Sequence, residues 1–548
     1  MGKNFLRRYL ALFNFAMVVL LMCTTGMQAQ NGTFANPILP GFHPDPSICR
    51  VVDDYYLVTS SFEFFPGIPV FHSKDLVHWE QIGHALDRAE QLDLDSIKAS
   101  GGVYAPTIRY NNGKFYVINT LVGKKGNFIV TADNPAGPWS NPYWIDKAPG
   151  IDPSLFFDDD GKAYYTGNFR PDDYPKDSKY REIWLQEIDL TSMKLIGERT
   201  TILKEGALHD ASNAEASHLY KFQGKYFLMI AEGGTGENHA VTIFRSNTLR
   251  GPYEGNKKNP ILSHRHLGSS YPIQCTGHAD LVQTQKGDWW MVLLGVRPYG
   301  GFHYNLGRET FLAPVVWESG WPVVCPGEGK VLLQQAAPDL PESPVPQLSL
   351  RDNFDSSRLA FCWNFLRTPR ENIYSLTERN GFLRLYLRPQ SITKRENPSF
   401  IGRRQEHINF SCTTAFEFAP QNECETAGIV LLQNDDFHFR VEKLLKNGKL
   451  ILRVVRREKG ADTILSEKEI ASKRILLKVT ATEQDYSFYY GSSELTLTPL
   501  FEHADGRILS RTIAGGFTGA YIGMYASSNG TQSANHADYD FFEYLGEK

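Results

Sequence analysis

The sequence predicts an all-β protein, a five-bladed β-propeller followed by a β-sandwich. Three observations indicate this fold class. A short hairpin segment recurs five times in the first two thirds of the chain, a Pro-rich segment ends the repeat, and the last third shows alternating strand patterns without a long helical pattern. Self-similarity at this spacing is typical of propellers, whose blades are built from one repeated unit.

Each copy of the repeat starts at a polar turn with Gly or Asp and continues into aromatic and β-branched residues. Such a segment is typical of the second strand of a hairpin. The five copies occupy residues 53–58, 113–118, 161–165, 224–229 and 287–292. Successive copies lie roughly 50–60 residues apart, the length of a blade of about four strands. Five blades would pack radially around a central channel.

The first strand of each hairpin carries a shared position, ten or eleven residues before the aromatic and β-branched run begins. The residues at this position are Asp45, Ala105, Asp152, Glu215 and His278. Two residues further on, each copy has Ser, Thr or Asp: Ser47, Thr107, Ser154, Ser217 and Asp280. First strands lie nearest the propeller axis, so the shared position converges at one end of the channel. Asp-Pro is also a common turn signal, but turn formation does not explain a Glu and a His in the same position.

The repeat ends near residue 330, and residues 336–349 form a Pro-rich segment that predicts a stiff, extended linker. The propeller domain is therefore predicted over residues 30–335 and the sandwich over residues 350–548. Alternating patterns such as residues 382–387 support a sandwich of antiparallel strands.

The amino terminus has the pattern of a secretory signal peptide, residues 1–29. Positive charges precede an apolar run over residues 9–23, and cleavage is expected after Ala29. An uncleaved anchor is the alternative, although Asn14 interrupts the run and the run is short for a membrane span. Lipid attachment at Cys23 is another. We therefore expect an exported protein, periplasmic or extracellular, that has no membrane partner after cleavage.

The composition gives no indication of a nucleic-acid partner or of a zinc site. A formal net charge of −4 gives no reason to expect nucleic acid as a partner. Six cysteines follow the signal segment without a close C-x-x-C pair, so a zinc site is not predicted. The oligomeric state stays open, and an oligomer is compatible with the sequence.

Three carboxylic acids that converge at one end of the channel are the groups that glycoside hydrolysis requires. That reaction needs an acid with a raised pKa to protonate the leaving oxygen and, in inverting enzymes, a base that activates water. Convergent carboxylates push one another's pKa values apart. The repeat alone does not assign the roles among Asp45, Asp152 and Glu215.

Several local motifs go beyond the repeat. They are GFHPDPS at 41–47, SSFEFFPGIP at 60–69, SKDLVHW at 73–79, GIDPS at 150–154, AEGGTG at 231–236, GHAD at 277–280, LGRET at 306–310, FIGRRQ at 400–405 and GFTGA at 516–520. Through them the chain resembles glycoside hydrolase family 43, in its β-xylosidase/α-L-arabinofuranosidase branch with a concanavalin-like C-terminal sandwich. The resemblance covers nearly the whole mature chain.

The resemblance implies roles for the carboxyl groups. Asp45 would be the general base and Glu215 the general acid, while Asp152 would orient Glu215 and raise its pKa. The family is inverting, so the carboxyl groups of Asp45 and Glu215 are expected about 6.5–9.5 Å apart.

The resemblance also implies substrate-binding residues. Arg308 would sit beside the carboxylates and a sugar hydroxyl, with a surface position as the alternative. Phe62 and Tyr104 would line the sugar site. Phe517 would lie on the rim of the pocket, where the sandwich shortens it and favours exo cleavage, or else pack in the sandwich core.

The family pattern bears on cofactors through His278. Relatives often hold a calcium ion or a water cluster in the channel, so His278 is either a metal ligand or a hydrogen-bonded core histidine. No cofactor is required for the reaction, and a structural calcium in the channel is the metal that the resemblance allows.

Two departures from the family lie beside the sugar site. Ala216 and Ser217 stand before His218 where relatives commonly have Gly-Pro, and Tyr104 stands where relatives often have Trp. A tyrosine platform is smaller and adds a hydroxyl that can bond the sugar. Both departures leave the choice between xylose and arabinose open.

Three functions are compatible with these features. The first is an exo-acting enzyme that releases xylose or arabinose from oligosaccharides of arabinoxylan, xylan or arabinan. The second is an endo-arabinanase, against which the attached sandwich and Phe517 argue. The third is a non-catalytic carbohydrate-binding propeller, which would have no need of all three acids.

Overall fold

The computed structural model of the protein describes residues 32–208, 213–346 and 349–547. The predicted signal peptide lies outside the described residues. Within those three ranges, no helix has the length and apolar character needed to cross a membrane. The described residues form two β domains with three short helical turns, Glu494–Thr496, Gly506–Leu509 and Arg511–Ala514.

Five antiparallel sheets of four or five strands form the first domain. Blade 1 consists of Ser47–Val51, Asp54–Val58, Gly67–Ser73 and Glu80–Leu86. Blade 2 consists of Gly102–Val103, Thr107–Asn111, Lys114–Val122, Gly126–Ala132 and Tyr143–Trp144. Blade 3 consists of Ser154–Phe157, Ala163–Phe169, Glu182–Asp189 and Lys194–Leu203. Blade 4 consists of Glu215–Phe222, Lys225–Glu232, Ala240–Ser246 and Glu254–Gly255. Blade 5 consists of Gln274–Gln283, Trp289–Val296, Glu309–Glu318 and Trp321–Val324.

The five-bladed propeller is confirmed, and every predicted hairpin is present. Each recurring segment coincides with the second strand of its hairpin, paired antiparallel to the strand before it. In four of the five hairpins a glycine occupies the connecting turn with a positive φ. These glycines are Gly113, Gly161, Gly224 and Gly287. Glycine reaches that conformation without the steric cost of a side chain, so the turn chemistry is what made the repeat visible.

An apolar cluster lies between every neighbouring pair of blades. Ile118 of blade 2 and Leu155 of blade 3 share one such cluster, for example, and Met229 of blade 4 and Met291 of blade 5 share another. Aromatic and β-branched strand residues therefore serve mainly to pack blade against blade, which leaves the polar ends of the inner strands for the channel.

The ring is closed by the segments at its two ends. Thr33–Ala35 pairs antiparallel with Gln334–Ala336. Asn36 adds side-chain bonds to this closure, since its Nδ2 donates to the carbonyls of Leu312 and Leu332 at 2.9 and 3.0 Å. This closure joins the first and the last blade, and so keeps their inner strands side by side.

The second domain is a sandwich of two eight-stranded sheets. One sheet contains Arg351–Asp352, Tyr374–Ser375, Leu383–Tyr386, His536–Gly546, Phe410–Glu417, Arg474–Thr482, Asp485–Gly491 and Thr498–Asp505. The other contains Ala461–Glu469, Lys449–Glu458, Phe437–Lys446, Thr426–Asn434, Tyr521–Ser527, Ser399–Arg404, Asn364–Leu366 and Phe64–Phe65. The six cysteines of the described residues are free thiols.

One strand of the second sheet comes from the propeller. Phe64–Phe65 pairs with Asn364–Leu366, and the ring of Phe64 stacks on Tyr521 with centroids 3.8 Å apart. Arg404 of the sandwich donates from Nε to the carbonyl of Phe42 at 2.7 Å. The sandwich is therefore built onto the propeller beside the segment that follows Asp45, which places sandwich loops within reach of the channel mouth.

Candidate active site

The shared repeat position has an unusual backbone conformation. Asp45, Asp152 and His278 all have left-handed φ angles, of 56°, 53° and 45°. In blade 4 the left-handed residue is Ala216, one position after Glu215, and a register shift follows between Glu215 and His218. Non-glycine residues in this region carry strain and cluster at functional sites. The polar residues predicted to converge at the channel therefore share a left-handed backbone conformation, at the position itself or at the next residue.

Asp45 is buried and both of its oxygens are occupied. Arg308 donates from Nη1 to Oδ1 at 2.5 Å, and Ser60 donates from Oγ to Oδ2 at 2.5 Å. The Nδ1 of His278 lies 3.8 Å from the same Oδ1. Two donors on opposite oxygens fix the orientation of this carboxylate. Sequence reasoning singled out Arg308 and His278 but missed Ser60, which lies in a motif without repeat symmetry.

Glu215 and Asp152 form a pair of acids with raised pKa values. Burial and the negative charge of Asp45 raise the pKa of Glu215 to about 7, against the opposing influence of Arg181 and Arg308. Burial and the charges of Glu215 and Asp45 raise the pKa of Asp152 well above its ordinary value. The sequence predicted Asp152 as the source of the raised pKa of Glu215, whereas the effects that dominate at Glu215 are burial and Asp45.

Three aromatic rings and one guanidinium line the space beside these acids. The ring centroids of Phe62 lie 5.1 Å from Tyr104 and 6.1 Å from Phe517, and Tyr104 and Phe517 are 6.2 Å apart. The Cζ of Arg308 lies 5.5 Å from the ring of Phe62 and 5.8 Å from that of Phe517. Burial and the nearby charge of Asp152 raise the pKa of Tyr104 to about 12. All four predicted substrate-binding residues thus meet beside the acids.

Phe517 is held in place by propeller groups that the sequence did not indicate. Its backbone N–H donates to Oγ of Ser100 at 2.7 Å, and the N–H of Ser100 donates to the buried carboxyl of Glu63 at 2.9 Å. Arg511, next to this loop, donates from Nη1 to the carbonyl of Thr235 at 3.0 Å. The half-buried ring of Phe517 therefore packs at the edge of the sandwich core, against the propeller rings of Phe62 and Tyr104.

The described side chains around His278 do not supply the carboxylates that a calcium ion favours. Calcium takes six to eight oxygen ligands, with carboxylates prominent among them. Asp45, whose Oδ1 lies 3.8 Å from His278, is already bonded by Arg308, and Asp280 is paired with Arg109 at 2.7 Å. Within the part of the chain that the structure describes, no three His, Cys, Asp or Glu side chains come together as a metal site. The prediction of His278 as a metal ligand therefore lacks partner ligands here.

Another cleft lies away from the acids. It has a volume of about 860 Å³ and runs between blade 1 and the sandwich, past Phe361 and Trp363. The carboxylates that line it, Asp87 and Glu371, are exposed. Acid–base chemistry needs perturbed groups that face one another, so the channel mouth is the candidate active site.

The arrangement can carry out acid–base chemistry on a small polar substrate. Glu215 has a pKa suited to donate a proton near neutrality, and Asp45 is an oriented acceptor. The rings of Phe62, Tyr104 and Phe517 offer apolar faces beside these groups. Such a pocket, with aromatic walls and a few converging polar groups, is typical of a site that binds one small ring.

Models of protein families match both domains. The model described as "Glycosyl hydrolases family 43" matches residues 34–322, and that described as "Beta xylosidase C-terminal Concanavalin A-like domain" matches residues 351–545. Both matches fall on the domains described above, the propeller and the sandwich.

Curated relatives are similar over nearly the full length. A "Xylosidase/arabinosidase" of Butyrivibrio fibrisolvens is 47% identical over 515 residues, which is 92% of this chain and 98% of the relative. A "Non-reducing end alpha-L-arabinofuranosidase BoGH43B" of Bacteroides ovatus is 43% identical over 519 residues, 93% of this chain and 94% of the relative.

Solved structures share the arrangement of both domains. One described as "Bacteroides ovatus Xyloglucan PUL GH43B" superposes with a TM-score of 0.88 at 42% identity, covering 94% of this chain and 100% of its own. A xylan beta-1,4-xylosidase from Bacillus halodurans C-125 superposes with a TM-score of 0.88 at 35% identity, covering 93% and 100%. These likenesses extend to the way in which the sandwich is attached.

Proposed function

The chain belongs to glycosyl hydrolase family 43, and we propose that it is an exo-acting glycosidase that releases terminal pentoses from hemicellulose oligosaccharides with inversion. The observation that carries this proposal is the meeting of Asp45, Asp152 and Glu215 beside Arg308 at one end of the channel. A propeller that only binds carbohydrate would gain nothing from three neighbouring acids that repel one another.

In the proposed reaction Glu215 is the general acid. It gives its proton to the glycosidic oxygen as the bond to the anomeric carbon breaks. Asp45 is the general base and takes a proton from the water that attacks the opposite face of the sugar. One water is consumed and the anomeric configuration inverts. The expected separation of about 6.5–9.5 Å between the two carboxyl groups leaves room for that water.

Asp152 and Arg308 support these two groups. Because Asp152 and Glu215 repel one another as anions, the pair favours a state that retains a proton, which keeps an acid available. Arg308 holds Asp45 through Oδ1 and faces the aromatic walls, so its remaining donors can meet a sugar hydroxyl.

The wall that Phe517 provides supports exo cleavage. The sandwich loop places its ring against Phe62 and Tyr104, so the site is a closed pocket on that side rather than an open groove. A chain end fits such a pocket, whereas the middle of an arabinan chain does not. The endo-arabinanase alternative is therefore not favoured.

We propose arabinose and xylose as the released sugars. The relatives described above are named as a xylosidase/arabinosidase and as a non-reducing end arabinofuranosidase. Oligosaccharides of arabinoxylan, xylan or arabinan would present such ends. The signal-like amino terminus supports export to the periplasm or the cell exterior, where these oligosaccharides occur.

The function is tested with nitrophenyl β-D-xyloside and nitrophenyl α-L-arabinofuranoside, and with proton NMR of the first sugar released. We expect turnover of at least one aryl pentoside and a product of inverted anomeric configuration. Internal cleavage of arabinan without release from either glycoside would indicate the endo enzyme. A lack of turnover on any pentoside would contradict the proposal.

The pH dependence follows from the pKa of Glu215. The acid works only while it is protonated, and its pKa is raised to about 7. We therefore expect kcat/KM on an oligosaccharide to fall as the pH rises through about 7, tenfold for each further pH unit. A pH profile at constant ionic strength measures this limb. An activity that is flat from pH 6 to about 9 would rule out Glu215 as the acid.

Replacing Phe517 by alanine is expected to weaken substrate binding more than the chemical step. The change removes one aromatic wall, worth about 1 kcal/mol for a ring contact, so KM for the pentoside should rise about fivefold. Steady-state kinetics measures both constants. Phe361→Ala, at an exposed phenylalanine of the sandwich, is the matched control and should leave them unchanged. Equal kinetics for both variants would place Phe517 outside the pocket.

A further inference from the structure

The repeat contains a second ring of polar side chains, two residues beyond the shared position. Its members Ser47, Thr107, Ser154 and Asp280 are buried, with exposures of at most 3%. Ser47 and Ser154 begin the inner strands that follow Asp45 and Asp152, so this ring lies one layer further along the channel than the acids. In blade 4 the register shift brings His218 into this layer.

The guanidinium of Arg109, from the inner strand of blade 2, lies at the centre of this layer. Its Nη1 donates to Oδ2 of Asp280 at 2.7 Å and to Oγ of Ser47 at 3.2 Å. Its Nη2 donates to Oδ1 of Asp280 at 3.2 Å and lies 3.0 Å from Nδ1 of His218. This bidentate pair connects blade 2 to blade 5 and at the same time reaches blades 1 and 4.

The same network leads to each strand that carries a candidate catalytic acid. Ser47 is two residues from Asp45 and also donates to Asp280 at 2.7 Å. His218 is three residues from Glu215, and its Nδ1 lies 3.1 Å from Oγ of Ser154. Ser154 is in turn two residues from Asp152.

The charges in this layer are balanced by the arginine. Burial opposes ionisation of Asp280, but the charge of Arg109 and the hydrogen bonds to this carboxylate hold its pKa well below the ordinary range. Burial and the charge of Arg109 lower the pKa of His218 to about 3, so its ring is neutral and can accept a hydrogen bond. Tyr220 adds a bond from its hydroxyl to Asp280 at 2.7 Å. The layer therefore contains one fixed cation and one carboxylate.

We propose that Arg109 is a positioning residue for the reaction, a fixed cation that joins the inner strands of the catalytic acids and balances the charge of Asp280, so that this layer needs no metal ion. Guanidinium presents five donors in a rigid plane, whereas an ammonium is a point charge that cannot reach Ser47, Asp280 and His218 together. The proposal rests on the proposed function in one respect, since its kinetic test needs a turnover to measure.

The kinetic test is Arg109→Lys, which keeps the charge but not the plane. Displacement of reacting groups by about 1 Å can cost about 10²-fold, so we expect kcat to fall about 10- to 100-fold while KM changes little. Arg50→Lys is the matched control, because Arg50 also joins blade 1 to blade 5 but through the carbonyl of Gln283. We expect kinetics of the wild type for the control. A folded Arg109→Lys variant with the kcat of the wild type would overturn the positioning role.

A second variant covers the case in which Arg109→Lys does not fold. In Arg109→Ala, methylguanidinium added at millimolar concentration should restore kcat and raise the melting temperature, whereas methylammonium at the same concentration should not. If both cations had the same effect, or if neither had any, the planar guanidinium would not be what the site requires, and the proposal would be overturned.

A third test asks whether a bound metal stabilises the protein, and its melting temperatures can be measured without turnover. Treatment of the wild type with EDTA, followed by addition of calcium, should leave both the melting temperature and kcat unchanged. A melting temperature that falls with EDTA and recovers with calcium would overturn the proposal. A wild type that is inactive on every pentoside would contradict the proposed function instead. The melting temperatures of Arg109→Ala with added cations, and of the wild type with EDTA, would then still test the role of the Arg109 cation.

Discussion

Asp45→Ala is expected to lose turnover on every glycoside, by about 10³-fold or more in kcat. Both oxygens of this carboxylate are held by donors, from Arg308 and from Ser60, so the group is oriented for one task. In an inverting reaction water must lose a proton as it attacks, whatever the leaving group is. Steady-state kinetics on an aryl pentoside and on an oligosaccharide should therefore show losses of similar size.

Azide gives this prediction a positive readout. Azide needs no base, because it carries no proton to remove. In Asp45→Ala it can occupy the space of the missing carboxylate and form the bond to the anomeric carbon, while Glu215 still protonates the leaving oxygen. We expect a glycosyl azide of inverted configuration, detected by NMR.

A loss of fold must be separated from a loss of the base. Removal of Asp45 leaves the buried cation Arg308 without its partner, which costs stability. Asp45→Asn keeps the size of the side chain and a hydrogen-bond acceptor, so it should melt closer to the wild type and be equally inactive. Asp133→Ala removes an exposed carboxylate of blade 2 and is the control, because it removes one negative charge far from any buried partner. Retained activity in Asp45→Asn would refute the role of Asp45 as the base.

The fold was predictable because the propeller repeats its local chemistry. A polar turn followed by aromatic and β-branched residues marks one strand in each blade, and the same left-handed backbone conformation recurs at Asp45, Asp152 and His278. The spacing of the repeat does not reveal the register shift before His218, which brings this histidine rather than Ser217 into the channel. Such a shift depends on the packing of blade 4 against its neighbours.

The parts of the site that sequence reasoning missed come from outside the shared position. Ser60 reaches Asp45 from a loop, and Arg511 comes from the other domain. Arg109 follows the shared position by four residues, where four other blades have no arginine. Its importance depends on a side chain long enough to reach the axis from blade 2. Contacts that join distant parts of a chain leave no local pattern, so only the folded structure brings them together.

Glu215→Ala is expected to separate substrates by their leaving groups. The raised pKa of Glu215, about 7, suits it to protonate a departing sugar oxygen, which is a poor leaving group. Loss of the acid should lower kcat/KM on a xylo- or arabino-oligosaccharide by about 10³-fold. Dinitrophenolate departs without a proton, so the loss on a dinitrophenyl pentoside should be less than about tenfold. Parallel kinetics on both substrates measures the ratio.

The ratio also distinguishes an acid from a group that only supports the pocket. Glu232→Gln is the matched control, since Glu232 is a buried carboxyl of the same blade that accepts bonds from Ala207 and Leu208. Damage to the fold at Glu232 should lower activity on both substrates by the same factor. Equal losses in Glu215→Ala would place it in that structural class. In the acid variant the fall of kcat/KM above pH 7 should also disappear, because the group that titrates there is gone.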